Sequence, residues 1–278
     1  NSAPQDIVLG PDGNFWFTEY NGSRVGRITP AGGVTEFATL TAASGPQGIA
    51  VGADGNLWFT MRSANRIGRI TPAGARTEFP IPTAGSEPWG IAAGPDGNLW
   101  FTQYAGGRVA RITTAGVVTE VGVRIATSFP QFITAGADGA MWFTESGANR
   151  LGRVNRKGVV TKFDLPVPNS NPTGIAAGAG DTLWFAMFDA AMIGHTSLAA
   201  AETPFGDCNG DKDVDAADVT RMVQILSRCA PCASGGAAAA GCAAVGGSDK
   251  QCVAADLDRN GCITAGELTR ALPLPPAP

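Results

Sequence analysis

Two acidic stretches of twelve residues in the C-terminal part of the chain have the spacing needed to bind Ca²⁺. They read DCNGDKDVDAAD at 207–218 and DLDRNGCITAGE at 256–267. A Ca²⁺ ion takes six to eight oxygen ligands, which a loop can supply from positions 1, 3, 5, 9 and 12 and from one backbone carbonyl at position 7. The predicted ligands are Asp207, Asn209, Asp211, Asp215 and Asp218, then Asp256, Asp258, Asn260, Thr264 and Glu267, with the position-7 carbonyls of Asp213 and Cys262.

Each acidic loop leads into a short run with helical character, AADVTRMVQILSRC or AGELTRAL. Gly261 provides the sharp turn of the second loop, whereas Lys212 stands at that position in the first. The alternative, a solvated acidic loop that binds no metal, is therefore stronger for the first loop. We predict two Ca²⁺ sites in a small α-helical double EF-hand-like domain at 207–271, followed by an extended Pro-rich tail at 272–278.

The cysteines are confined to the same C-terminal segment, and four of them lie in an Ala/Gly-rich insertion at 229–252. Six cysteines in a short segment predict disulfides and an oxidising compartment, with the pairing left open. The CAPC at 229–232 leaves a zinc site as the alternative, although no second CxxC follows it. The predicted disulfide cysteines are Cys208, Cys229, Cys232, Cys242, Cys252 and Cys262.

The first 206 residues contain five copies of one unit. Prolines at 4, 46, 88, 130 and 172 are 42 residues apart, and tryptophans at 16, 58, 100, 142 and 184 keep the same period. Each unit reads as four short strands separated by turn sequences such as PDGN and PAG. Four strands in about 40 residues are typical of a propeller blade. We therefore predict an all-β propeller at 1–206, with blades at 4–45, 46–87, 88–129, 130–171 and 172–206.

Candidate ligand-binding residues lie where the repeats differ from one another. The segment after each WFT strand varies, and it contains Tyr20, Gln103 and Tyr104. Trp89 is the one tryptophan outside the repeat register, and an aromatic ring at the mouth of a propeller could stack on a sugar or on another ring. A local packing role for Trp89 is the alternative.

Bulk composition excludes several classes of partner. The net charge is −4 and the chain has no basic run, which argues against nucleic acid. No apolar run approaches the ~20 residues of a membrane-spanning helix. Because the chain begins at Asn1 without a methionine, we expect a mature or trimmed secreted product, located outside the cell or at its surface.

The repeat P-x-G-I-A-x-G-P-D-G-N-L-W-F-T, continued by N-R-I-G-R-I-T-P-A-G, resembles the streptogramin B (virginiamycin B) lyase family. That resemblance implies a seven-bladed propeller that opens a cyclic depsipeptide by elimination, using a general-base His, Glu residues and Mg²⁺. Here the one histidine, His195, occupies the position at which the other repeats have a strand arginine, and no mouth loop carries a histidine. The acids that could serve as base or metal ligand are Glu19 and Glu145.

The C-terminal loops and helices, GDCNGDKDVDAADVTRMVQIL and ADLDRNGCITAGELTRAL, resemble a type I dockerin, which implies a cohesin-like partner. The first functional hypothesis is a secreted calcium-binding propeller that acts as a binding or structural component of an extracellular assembly. Its ligand would be a peptide or a glycan, and other copies of the chain are a further candidate partner. The second hypothesis is a carbon–oxygen lyase that acts on a cyclic depsipeptide or a glycan with a divalent metal.

Overall fold

The computed structural model describes residues 2–122 and 127–198, which form five antiparallel sheets packed one after another like the blades of a propeller. The predicted calcium loops and cysteines, and the end of the fifth repeat, lie outside these residues. Four sheets have four strands each and the fifth has three. Within every sheet the strands follow chain order, so each blade is an antiparallel meander.

The strands of the first two blades are β1 Pro4–Leu9, β2 Phe15–Glu19, β3 Arg24–Ile28, β4 Val34–Ala38, β5 Pro46–Val51, β6 Leu57–Met61, β7 Arg66–Ile70 and β8 Arg76–Pro80. Those of the third and fourth are β9 Pro88–Ala93, β10 Leu99–Gln103, β11 Arg108–Ile112, β12 Val118–Val121, β13 Pro130–Ala135, β14 Met141–Glu145, β15 Arg150–Val154 and β16 Val160–Asp164. The fifth has β17 Pro172–Ala177, β18 Thr182–Met187 and β19 Met192–Ser197. A single 3₁₀ turn at Ser146–Ala148 follows β14 in the described part of the chain.

The repeated Asp-Gly turn is held by its own side chains. In the second blade, Asp54 accepts hydrogen bonds from the indole Nε1 of Trp58 at 3.0 Å and from the side-chain amide of Asn56 at 2.7 Å. Gly55 has φ of 71°, a left-handed conformation that glycine adopts without strain. The DGN-x-W sequence therefore sets the turn and the position of the buried tryptophan together.

The hydrophobic core lies between successive blades. Trp58 and Ile67 of the second blade pack on Leu99 and Phe101 of the third, and the same arrangement joins the first blade to the second and the third to the fourth. The first strands of the blades contact one another in sequence and form the inner wall. They lie so close together that a Cβ on Gly48 would stand 2.7 Å from the carbonyl oxygen of Trp89.

Polar bonds repeat across the same interfaces. The hydroxyl of Thr18 donates to the carbonyl of Gln47 at 2.7 Å, and that of Thr60 donates to the carbonyl of Trp89 at 2.6 Å. Arg27 stacks on Trp16 and also donates to the carbonyl of Pro72 in the next blade. Because these bonds recur every 42 residues, the WFT and R-I-T sequences are explained as scaffold.

Candidate functional site

The mouth of the propeller is defined here as the end formed by the loops between second and third strands and by the connections between blades. The two kinds of segment are bonded to each other: the amides of Ser63 and Ala64 donate to the carbonyl of Ser44. A second set of loops, the Asp-Gly and Pro-Ala-Gly turns, forms the opposite end. Sequence variation between the repeats is concentrated at the mouth, so we expect a ligand-binding site at this end.

Four side chains from the second and third repeats form a continuous stack at the mouth. The guanidinium of Arg62 lies 4.4 Å from the ring centroid of Trp89, and Trp89 lies 5.0 Å from Tyr104. Tyr104 in turn stacks on Phe129 with centroids 5.0 Å apart. Glu87 pairs with Arg62 at 2.6 Å and fixes the guanidinium over the indole. This mouth stack (Arg62, Trp89, Tyr104 and Phe129) joins the second blade to the third and extends to the connection that leads into the fourth.

Two residues next to the stack have a strained backbone. Glu87 and Phe129 have φ of 50° and 46°, in the left-handed region that bulky residues rarely adopt. The position before the phasing proline is left-handed in all five blades, where it is also Ala3, Gly45 or Asn171. The conformation is therefore part of the repeat, and these two positions differ from the others in carrying a large side chain at the mouth.

A cleft of about 370 Å³ opens beside the stack, toward the fifth blade. Its walls are mainly polar, and among the residues that the structure describes, the side chains of Asn169, Asn171 and Asp189 have no hydrogen-bond partner. Gln131 donates to the hydroxyl of Ser146 at 3.0 Å and so presents its amide oxygen to solvent or ligand. We call this space the mouth cleft; it is lined by Tyr104, Phe129, Gln131, Asn169, Asn171 and Asp189.

The predicted acids do not face the mouth cleft. Glu19 and Glu145 end their strands and are buried between blades. Glu145 pairs with Arg150 at 2.9 Å and with Lys162 at 3.3 Å, which neutralises its charge. Met61 occupies the same position in the second blade and is also buried, so this position belongs to the packing between blades.

Gln103 lies at the same buried position in the third blade and belongs to a polar network. Its amide donates to Glu120 at 2.9 Å, and Thr83 and Arg108 donate to the same carboxylate. Burial alone would raise the pKa of Glu120, but the bonds from Gln103 and Thr83 and the charge of Arg108 outweigh it and lower that pKa. The carboxylate is thus held ionised as a structural anchor.

The remaining predicted residues lie apart from one another. Tyr20 hydrogen-bonds Ser63 at 3.2 Å across the first two blades. His195 lies exposed on β19, where its ring is 4.9 Å from that of Trp184. That position corresponds to the arginine that stacks on tryptophan in the other blades, such as Arg27 on Trp16. The structure therefore does not bring His195, Glu19 and Glu145 together at the mouth.

Sequence reasoning did not single out six of the residues that form or support the stack and the cleft. The sequence signal that could have identified them was a residue type at the mouth that differs from its equivalents in the other repeats. Position 62 is Arg where equivalent positions are tyrosine, serine or phenylalanine, and the residues before two of the phasing prolines are bulky. The missed residues are Arg62, Glu87, Phe129, Asn169, Asn171 and Asp189.

Within 2–122 and 127–198, no three His, Cys, Asp or Glu side chains lie close enough to hold a metal ion. The same residues include no helix of the length and apolar character needed to span a membrane. Neither observation bears on the C-terminal calcium loops.

Five blades built from a 42-residue repeat, with a variable aromatic and polar mouth, define a repeat β-propeller with a candidate ligand site at one end. Comparison with known proteins gives its family. The Virginiamycin B lyase family matches residues 1–206, and the chain belongs to that family. Residues 205–270 match the dockerin type I domain. No match was found among curated proteins.

Two solved structures of virginiamycin B lyase from Staphylococcus aureus are similar to this chain, one of them a catalytically inactive variant with quinupristin. Each is 44% identical, with a TM-score of 0.68, over 71% of this chain and 67% of the other. A streptogramin B lyase structure is 32% identical, with a TM-score of 0.66, over 71% of this chain and 69% of that one.

Proposed function

We propose that the protein is a secreted binding component of an extracellular or cell-surface assembly. Its propeller binds a small peptide or glycan at the mouth cleft, and its C-terminal module attaches it to a partner. The observation that carries this proposal is the mouth stack beside a cleft in which the side chains of Asn169, Asn171 and Asp189 are unpaired within the described residues. Ligand pockets combine aromatic walls with a few such polar groups, typically in about 300–1,000 Å³.

The rigidity of the stack supports a recognition role. Arg62 is held by an ion pair and a cation–π contact, and Tyr104 lies between Trp89 and Phe129. A side chain fixed before binding loses little conformational entropy when the ligand arrives. The rings cover one another's faces, so the ligand would meet their edges, the Tyr104 hydroxyl and the polar groups of the cleft.

The attachment role rests on the dockerin match at 205–270. Dockerin type I domains bind Ca²⁺ and cohesin modules, so we propose two Ca²⁺ sites formed by the predicted loops and a cohesin-like partner. Metal binding would order the module, because the oxygen ligands converge only when the loops fold.

A second candidate function is a lyase activity, favoured by the 44% identity to virginiamycin B lyase. It would require a base near the substrate, within hydrogen-bonding reach of the proton removed. Glu145 is paired with two cations and His195 lies on an exposed strand, so each would have to act from a position outside the mouth cleft. The described residues contain no cluster of three His, Cys, Asp or Glu side chains that could hold the Mg²⁺ ion.

One experiment distinguishes the binding function from the lyase activity. The protein is mixed with quinupristin, Mg²⁺ and Ca²⁺, tryptophan fluorescence is titrated, and the mixture is analysed by liquid chromatography with mass detection. Binding without a new product supports the binding function at the mouth. A new peak of unchanged mass shows ring opening by elimination and establishes the lyase. If quinupristin neither changes the fluorescence nor is converted, a streptogramin-like ligand is excluded and glycans are tested next.

A further inference from the structure

Each connection between blades contains a buried serine two residues before the phasing proline. We call these residues the connection serines; each is at most 1% exposed, and they are Ser44, Ser86, Ser128 and Ser170. The sequence Ser-x-Pro returns every 42 residues, whereas the residues on either side of the serine differ from copy to copy. Every connection therefore combines one constant buried residue with two variable neighbours.

A connection serine joins two blades at the mouth through its three polar groups. In the connection to the fifth blade, the amide and the hydroxyl of Ser170 both donate to the side-chain oxygen of Asn149, each at 2.7 Å. The carbonyl of Ser170 accepts the amide of Asp189 at 3.2 Å. Ser86 makes the same two bonds to Asn65, at 2.8 and 2.7 Å. The backbone of the connection is thereby held in place against both blades.

The neighbours of the connection serines are presented at the mouth in a defined conformation. The residue after the serine is left-handed in all four connections, with φ between 46° and 60°. Phe129 and Asn171 at this position line the mouth cleft, and Glu87 holds Arg62 in the mouth stack. Asn169, on the other side of its serine, has φ of 52° and also lines the cleft. The variable residues are thus supported by a constant, buried hydrogen-bonding arrangement.

We propose that the two neighbours of each connection serine are the specificity-determining residues of the mouth, and that Asn169 and Asn171 contact the ligand. This inference rests on the ligand binding proposed for the mouth cleft. Both asparagine side chains are unpaired in the described part of the chain, and a side-chain amide can donate and accept hydrogen bonds at once. Holding them before the ligand arrives lowers the entropy cost of binding.

The chemistry of the cleft selects an uncharged ligand group. Asp189 is the one charged side chain among the lining residues that the structure describes, so an anionic group would meet a like charge and no lysine or arginine. The amides of Asn169 and Asn171 match a group that also donates and accepts, which is a hydroxyl or another amide. A sugar supplies the first and a peptide the second, and the test distinguishes these two sources.

The test compares the wild-type full chain with the double variant Asn169→Gly/Asn171→Gly. Glycine stands at both equivalent positions of other connections, as Gly85 and Gly45, so the change removes the amides and keeps the backbone conformation. The probes are quinupristin, cellotriose, maltotriose and mannotriose, titrated by calorimetry with Ca²⁺ and without Mg²⁺. We expect the dissociation constant of the probe that binds to rise about tenfold to a hundredfold, the loss of two hydrogen bonds. Ala43→Gly, the same kind of change in the first connection, is the control and keeps the wild-type affinity.

A second pair of variants separates the presentation of the asparagines from stability. Ser170→Ala and Ser44→Ala each remove a hydroxyl that bonds a side chain of its own blade or connection, and each should lower Tm by about 2–4 °C. Ser170→Ala should also weaken binding at least about threefold, because Asn169 and Asn171 lose their support, whereas Ser44→Ala should bind normally. Equal affinities in the two serine variants would contradict the presenting role of Ser170.

The outcomes for the two proposals differ. Affinity that is unchanged in Asn169→Gly/Asn171→Gly overturns this inference and leaves the binding function in place, with the ligand elsewhere at the mouth. Binding of none of the probes to the wild-type protein overturns the inference and the binding function together. Weakened binding of quinupristin alone supports the inference with a peptide as the ligand, and weakened binding of a trisaccharide alone supports it with a glycan.

Discussion

Arg62 stacks on Trp89 with its guanidinium carbon 4.4 Å from the ring centroid, and this contact links the second blade to the third at the mouth. The pair has no counterpart in the repeat register, since both residues replace other types at their positions. Its ion-pair partner, Glu87, is held in a left-handed conformation. The residues that depart from the repeat thus lie together at one place, next to the mouth cleft.

Replacing Arg62 by alanine should lower the free energy of unfolding by about 1–2 kcal/mol, because a cation–π contact and a half-exposed ion pair are both lost. Urea denaturation measures the change. Arg24→Ala removes only the exposed pair with Glu36 and should cost less than about 1 kcal/mol. Equal losses in the two variants would show that the stack adds nothing to stability.

Trp89→Phe should leave stability unchanged or raise it by up to about 1 kcal/mol. The indole Nε1 of Trp89 is buried with no hydrogen-bond partner in the described part of the chain, so phenylalanine removes an unsatisfied donor and keeps an aromatic ring. The matched variant is Trp58→Phe, which loses the bond to Asp54 and should be destabilised by about 1–2 kcal/mol. Thermal and urea unfolding of both variants distinguish these results, and a larger loss for Trp89→Phe contradicts the prediction.

Asn171→Gly should weaken binding of quinupristin about threefold to tenfold, the loss of one hydrogen bond, without lowering stability. Its φ of 49° suits glycine, so the change deletes the amide and preserves the backbone. Ala43→Gly, at a similar φ of 50° in the connection between the first two blades, controls for the added flexibility. Unaltered affinity in Asn171→Gly would place the ligand elsewhere.

Stability should fall on acidification below about pH 4, partly through the turn aspartates. Burial raises the pKa of Asp54, but hydrogen bonds from Asn56 and Trp58 outweigh it and lower that pKa, and Asp12 and Asp96 behave alike. A lowered pKa in the fold contributes stability that is present above the unfolded value of about 3.9 and is lost as pH falls through the folded value.

Asp54→Asn tests this contribution. The variant should be less stable than the wild type at pH 7, and the difference should shrink as pH falls to about 3. The pKa of Asp6 shifts in the opposite direction. Burial raises it, and this effect is larger than that of the hydrogen bonds from the amides of Ile49 and Ile7, which lower it. A difference in stability between Asp54→Asn and wild type that stays constant from pH 7 to about pH 3 would contradict this prediction.

Calcium titration of the full chain by calorimetry should reveal two sites, and EDTA should reduce the helical circular dichroism of the C-terminal module. Glu267→Gln should weaken the second site by removing one charge from a bidentate ligand. Glu202→Gln, which lies outside both predicted loops, serves as the control. Two sites of unchanged affinity in Glu267→Gln would exclude this residue as a ligand.

The blades could be predicted from the sequence because a strict 42-residue period places the same turn and tryptophan in the same positions five times. The mouth could not, because it depends on contacts between side chains that break the period, such as Arg62 with Trp89 and Tyr104 with Phe129. Sequence repetition identifies what the blades share, whereas the candidate site consists of what they do not share.

The burial of Gln103 is a second feature that was not predicted from the sequence. The residue looks like the start of a loop, but side chains alternate along a strand, so Leu99, Phe101 and Gln103 point the same way into the interface between blades. The alternation of side chains along the preceding strand was the sequence signal that could have predicted the burial of Gln103. Its role in ligand binding stays a prediction, while its bond to Glu120 explains its burial.

Among the described residues, contacts between first strands join each blade to the next one along the chain, so the energy of each blade depends on its nearest neighbours. Within the described residues, the three middle blades each have two such interfaces, and the first and fifth blades each have one. Opening should therefore cost least at the ends and most in the middle, so that the second to fourth blades form the most persistent unit. The mouth stack lies within those three blades, whereas Asp189 of the mouth cleft belongs to the fifth blade, so the stack should persist to a later stage of unfolding than the cleft beside it.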